Sequence, residues 1–78
     1  MFTVYAIYSE KIDCIYIGQT SNLEQRLRSH NEYAKGFTAR ADDWIIIYSE
    51  EYSTRTEALK RERQLKTGSG RRFLRDLL

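Results

Sequence analysis

The sequence contains no proline and only one cysteine, one histidine and one methionine, with four glycines among its 78 residues. Each scarcity removes a class of protein. A lone Cys14 forms no internal disulfide, so the expected setting is a reducing cytoplasm. One cysteine and one histidine are too few for a zinc site. No apolar run approaches the ~18 residues of a membrane span, and the N-terminus lacks the charged and apolar regions of a secretory leader, so no membrane partner is expected. The segment "TGSG" has neither the lysine nor the spacing of a phosphate-binding loop, and no serine stands in a triad context. With no repeats, no low-complexity tract and so few residues, positions 1–78 read as one domain.

What is present is a mixed, globular composition: 31% charged and 41% hydrophobic residues, six tyrosines and one tryptophan. Such a short chain has a small core, so its apolar residues are needed for folding. It is expected to work as a monomer or a weak homodimer. The formal net charge is only +2, but it is unevenly spread: residues 1–54 carry −3 and residues 55–78 carry +5. The basic cluster comprises Arg55, Lys60, Arg61, Arg63, Lys66, Arg71, Arg72 and Arg75. It reads either as solvated helix faces or as a surface for a phosphate backbone.

"FTVYAIYS" and "CIYIG" are rich in β-branched and aromatic residues, and the short polar "SEKID" between them predicts an antiparallel hairpin. "TSNLEQRLRSH" offers Thr20, Ser21 and Asn22 as caps, with Glu24 placed to close a capping box on Ser21, and predicts a helix from about Asn22 to Glu32. "EYAKGFTARADD" has no period and reads as a loop, long enough to be functional. "WIIIYSEEY" predicts a third strand, apolar on both faces and hence covered on both sides within the sheet. "STRTEALKRERQLK" predicts a helix capped by Ser53 or Thr54; "TGSG" ends it before a last helix, "RRFLRDLL". The expected fold is α+β, a three-stranded antiparallel sheet flanked by helices in the order β-β-α-β-α-α.

Some residues fit this scaffold poorly. On the first helix Leu23, Leu27 and His30 span about 60° of arc and Arg26 lies about 40° beyond His30, so two cation-capable groups four residues apart border the buried stripe. Singly, each reads as a satisfied core histidine or a snorkelling arginine. On the second helix Ala58, Leu59 and Leu65 define an apolar face about 120° wide, and Glu62 projects inside it. A carboxylate aimed at the core needs a matching cation: Arg26, a lysine or a metal. If the hairpin sets Tyr5 opposite Gly18, Tyr16 shares their face and the glycine leaves a gap beside two phenols. The plainer reading is two half-buried tyrosines and a bulge. Cys14 reads as a small buried hydrophobe and Trp44 as a core or edge anchor.

"TVYAIYS", "CIYIG", "NLEQRLRSH" and "EALKRERQLK", in that order and over essentially the whole chain, resemble the small single-domain GIY-YIG nucleases. The resemblance implies an endonuclease that hydrolyses nucleic-acid phosphodiester bonds, most naturally DNA as in repair enzymes, with one Mg²⁺ or Mn²⁺. Carried over by position, it implies that Tyr5 and Tyr16 position or activate water, Arg26 stabilises the phosphorane, His30 is the family's frequent helical histidine and Glu62 holds the metal. It places Gly18 and Gln19 beside the substrate. The expected phosphate contacts are Lys35, Arg40, Lys60, Arg61, Lys66, Arg71 and Arg72. The first motif keeps only its tyrosine in Val4-Tyr5-Ala6, Gln19 stands where some members have lysine, and no asparagine follows Glu62. Two further readings stay open from the residues: a nucleic-acid-binding domain of the same fold without turnover, and a protein-interaction module.

Overall fold

A computed structural model describes residues 1–32 and 36–78, with backbone only at Phe37. Strands β1 (Phe2–Ser9) and β2 (Cys14–Thr20) form the hairpin; α1 (Leu23–Glu32), a 3-10 helix (Gly36–Arg40), β3 (Ile45–Tyr52), α2 (Arg55–Leu65) and α3 (Gly68–Arg75) follow. The fold is thus the expected α+β arrangement, with an antiparallel sheet in the order β2-β1-β3. The hairpin turns through Asp13, whose φ of 50° is tolerated by aspartate and whose carboxylate accepts hydrogen bonds from the Tyr8 hydroxyl and Arg75.

One expectation fails. β3 is not inside the sheet: β1 is the central strand and β3 forms an edge, with Ile45 57% and Ile46 39% exposed. Both strands are apolar on both faces, and strand order depends on which of them the helices cover. β1 lies between two packed layers, and Val4, Tyr5, Ala6 and Ile7 are all buried. A bulge at Ile47, where Ala6 pairs with Tyr48 but Ile7 with Ile46, interrupts the alternation of β3.

The period of two in β1 splits the core. Val4 and Ala6 pack with Ile15, Ile17, Ala58, Leu65 and Leu74 beneath α2 and α3. Tyr5 and Ile7 pack on the other face with Trp44, Tyr16, Leu23 and Leu27 beneath α1. Leu74 is fully buried and pins α3, an anchor of about 1.5–3 kcal/mol.

The helix ends have local causes. Asn22 caps α1, its Oδ1 accepting from Gln25 N at 3.1 Å, while Thr20 Oγ1 accepts from Asn22 N. Thr54 caps α2 and Thr67 caps α3. "TGSG" is therefore the first turn of α3 as well as a break, and a side chain at Gly70 would strike the backbone of Gln64 and Leu65. The aperiodic segment after α1 is not loop throughout, since residues 36–40 wind into the 3-10 helix.

Candidate active site

The register places Tyr5 directly opposite Gly18, and Tyr16 opposite Ile7 on the same face. Tyr5 lies across the glycine: a methyl group there would sit 2.7 Å from its Oη, 2.9 Å from its Cζ and 3.3 Å from Tyr16 Cε1. Gly18 is thus the gap through which a buried phenol reaches toward β2.

Four expected residues converge at that gap. His30, buried at 4% exposure, sits 2.8 Å by Nε2 from Tyr5 Oη and 2.9 Å by Nδ1 from Thr38 Oγ1. Arg26, one turn earlier on α1 and exposed, donates from Nε to Tyr5 Oη at 3.4 Å. The Tyr16 ring meets His30 edge-on at 5.1 Å. The histidine is therefore both a satisfied core residue and part of a polar cluster.

Electrostatics fix the resting protonation state. Burial pushes the Tyr5 phenol above its ordinary value, and Arg26 only partly opposes this. Burial, reinforced by Arg26, holds His30 below its ordinary value near 6.5. Both shifts favour neutral forms, so Tyr5 rests as a phenol and His30 as a neutral imidazole. Positive charge from Arg26 therefore does not make Tyr5 a phenolate, and a neutral His30 adds none.

Thr38, Trp44 and Asn31 were not legible as supports of the site. Trp44 Nε1 donates to the Thr38 carbonyl at 3.0 Å, and Asn31 clamps Trp44 by accepting from its N at 2.8 Å and donating to its O at 3.1 Å. These bonds tie the end of α1, the 3-10 helix and the start of β3 behind His30. Nothing in the spacing marks Thr38, which falls in the aperiodic segment.

Glu62 approaches from the opposite layer, and its negative charge reaches Tyr5. Its side chain is 16% exposed and pairs with Lys66 Nζ at 2.7 Å, so a lysine supplies the matching cation. The face around it is narrower than its apolar sequence suggests: Ala58 and Leu65 are buried but Leu59 is 38% exposed. Among the described residues no three His, Cys, Asp or Glu side chains form a metal cage. A single inward carboxylate does fit Mg²⁺, which commonly takes one or two carboxylates and completes its shell with phosphate oxygens and water.

The basic residues do not share one surface. Lys66, Arg71 and Arg75 line a groove of about 510 Å³ along residues 14–17 of β2. Arg75 is held at 2.7 Å by Asp13. Arg61 points toward the other edge of the sheet, bonded to Glu50 of β3 at 2.7 Å. Lys60 and Arg72 are exposed, Gln19 pairs with Val4, and Arg40 ends the 3-10 helix beside Asn31 and Asp42. Lys35 lies outside the described residues. No described helix is long and apolar enough to cross a membrane.

Comparison with known proteins shows the family. The family model for the GIY-YIG catalytic domain matches residues 1–74. A UPF0213 protein of Staphylococcus haemolyticus is 34% identical over 67 residues, 83% of this chain and 80% of the relative. A UPF0213 protein of Staphylococcus saprophyticus is 32% identical over 62 residues, 78% of this chain and 76% of the relative. No solved structure gives a significant match.

Proposed function

Because the chain belongs to the GIY-YIG catalytic-domain family, we propose that it is a metal-dependent endonuclease that hydrolyses nucleic-acid phosphodiester bonds, with DNA as its substrate. The observation that carries this reading is the convergence of Tyr5, Tyr16, Arg26 and His30 at Gly18. Folding alone does not require a buried phenol shared between an imidazole and a guanidinium.

The neutral Tyr5–His30 pair supports a relay. A water beside Tyr5 gives its proton to Tyr5 Oη as Tyr5 passes its own proton to His30 Nε2. Tyr5 stays neutral, His30 becomes imidazolium and the hydroxide attacks phosphorus. In this tautomer Nδ1–H donates to Thr38 Oγ1, which holds the ring while Nε2 works. The phosphorus–oxygen ester bond breaks opposite the new one; solvent protonates the leaving oxygen, and the imidazolium of His30 returns its proton to solvent through Tyr5 after product leaves.

Arg26 matches the charge that develops on the phosphorane, since a guanidinium fork suits two phosphate oxygens and its bond to Tyr5 holds it at the site. Tyr16 contacts the water or the phosphate. Glu62 would hold Mg²⁺ or Mn²⁺, which when bound neutralises charge on the scissile phosphate.

A nicking assay on labelled duplex and branched DNAs and RNAs, with Mg²⁺ or chelator, tests the reading alongside a thermal melt of Glu62→Gln. Wild type should cut only with metal, and the variant should stay folded, bind nucleic acid and lose cleavage. Binding without metal-dependent cleavage would instead assign a binding domain. A large fall in melting temperature with cleavage per folded molecule intact would make Glu62 a structural partner of Lys66 only.

A further inference from the structure

Lys66 stands where two parts of the molecule meet. Its ammonium pairs with Glu62 at 2.7 Å, and the same side chain lines the basic groove beside β2. Glutamate four residues before lysine is a favourable helix pair and by itself is unremarkable. Here the partners differ in exposure, with Glu62 at 16% and Lys66 at 46%, so the lysine reaches in from solvent to cover an inward carboxylate. Of its companions in the groove, Arg75 is already engaged by Asp13, whereas Arg71 is exposed and enters none of the ion pairs among the described residues. A phosphate chain entering the groove would therefore meet Arg71 with no ion-pair partner among the described residues and Lys66 with its charge already shared with Glu62.

We propose that Lys66 is an exchangeable counter-ion: it neutralises Glu62 in the free protein, leaves when that carboxylate takes a divalent cation, and then pairs with a backbone phosphate of the nucleic acid in the β2 groove. The exchange is non-covalent and moves one positive charge from an internal pair to the substrate. It couples the two binding events, because the lysine and a metal compete for the charge of one carboxylate, and Glu62 and a phosphate compete for the charge of one ammonium. Metal at Glu62 strengthens the grip on the substrate strand, and the substrate strand eases metal entry. The proposal rests on the endonuclease reading.

Two measurements test it without reading cleavage. In the first, Mn²⁺ is titrated into the full chain without nucleic acid, followed by electron paramagnetic resonance. Lys66→Met should bind Mn²⁺ about three- to tenfold more tightly than Arg63→Met, which loses the same charge at a neighbouring exposed position. Equal affinities for the two variants would overturn the exchange. In the second, duplex DNA binding is measured against salt in chelator. Glu62→Gln frees the lysine without metal, so its log–log slope should be steeper than wild type by about 0.9, the value for one added phosphate contact, and Glu62→Gln with Lys66→Met should lose that increment. A slope unmoved by either change would overturn the proposal. Lys66 is exposed, and Lys66→Gln provides a second neutral side chain should the methionine perturb folding. A protein that bound no DNA at any salt would remove the endonuclease reading and the exchange with it. Flat Mn²⁺ and salt comparisons in a protein that still cut DNA would remove the exchange alone.

Discussion

Gly18→Ala places one methyl group in the gap that Tyr5 occupies. Its Cβ would lie 2.7 Å from Tyr5 Oη, whereas ordinary contact begins near 3.4 Å, so the hydroxyl must withdraw by about 0.7 Å. A displacement of that size directed away from His30 would lengthen the 2.8 Å bond to Nε2 to about 3.5 Å, the outer limit of hydrogen bonding. Three terms set the stability change. Overpacking costs about 1–3 kcal/mol, the lost bond about 0.5–1.5 kcal/mol, and the stiffer unfolded chain returns about 0.4–1 kcal/mol. Together they span a loss of about 0.5–4 kcal/mol, centred near about 2 kcal/mol. At about 4–8 °C per kcal/mol for a domain of this size, the central loss of about 2 kcal/mol lowers the melting temperature by roughly 8–16 °C. Cleavage should fall more than stability: a reacting group misplaced by a fraction of an ångström to 1 Å loses up to about 10²-fold in rate. Gly68→Ala is the control, because nothing lies within 4 Å of its Cβ position, and it should leave the melt unchanged or raise it. The assays are a thermal melt and a Mg²⁺-dependent nicking rate per folded molecule. Gly18→Ala that melted with wild type and cut at the wild-type rate would refute the placement of the Tyr5 phenol against β2.

Arg26→Ala should reduce cleavage by about 10²-fold or more while leaving duplex binding largely intact, because its main contact is with charge that develops during reaction; nicking and filter binding on the same preparation separate the two. His30 should make stability depend on pH in a window far from the carboxylates. Its folded-state pKa lies below the ordinary value near 6.5, so the unfolded chain binds more protons between the two values. Its stabilisation is therefore complete above about 6.5 and is lost as the pH falls below it. Melts of wild type from pH 8 to pH 5 should show the decline, His30→Gln should flatten it, and equal slopes in the two would refute a buried neutral histidine.

The sequence by itself determined the elements that depend on neighbours a few residues away. The hairpin, the two cap segments and the placing of Arg26 and His30 on one side of α1 follow from periods of two and 3.6 and from cap chemistry; folding chose Asn22 over the Ser21 capping box and Thr54 over Ser53, and set Tyr5 opposite Gly18. Strand order was decided by tertiary structure, because β1 and β3 carry similar two-faced apolar runs and only the packing of helices on both faces of β1 makes it central. The cation for Glu62 was likewise left open by a helical projection, which gives an angle without a depth; folding placed Lys66 there and turned Arg61 away to Glu50. Thr38 became part of the site only because Trp44 and the end of α1 bring it to His30 from outside any periodic segment. The neutral state of the Tyr5–His30 pair is tertiary too: residue types place an arginine nearby, but burial outweighs its charge at the phenol.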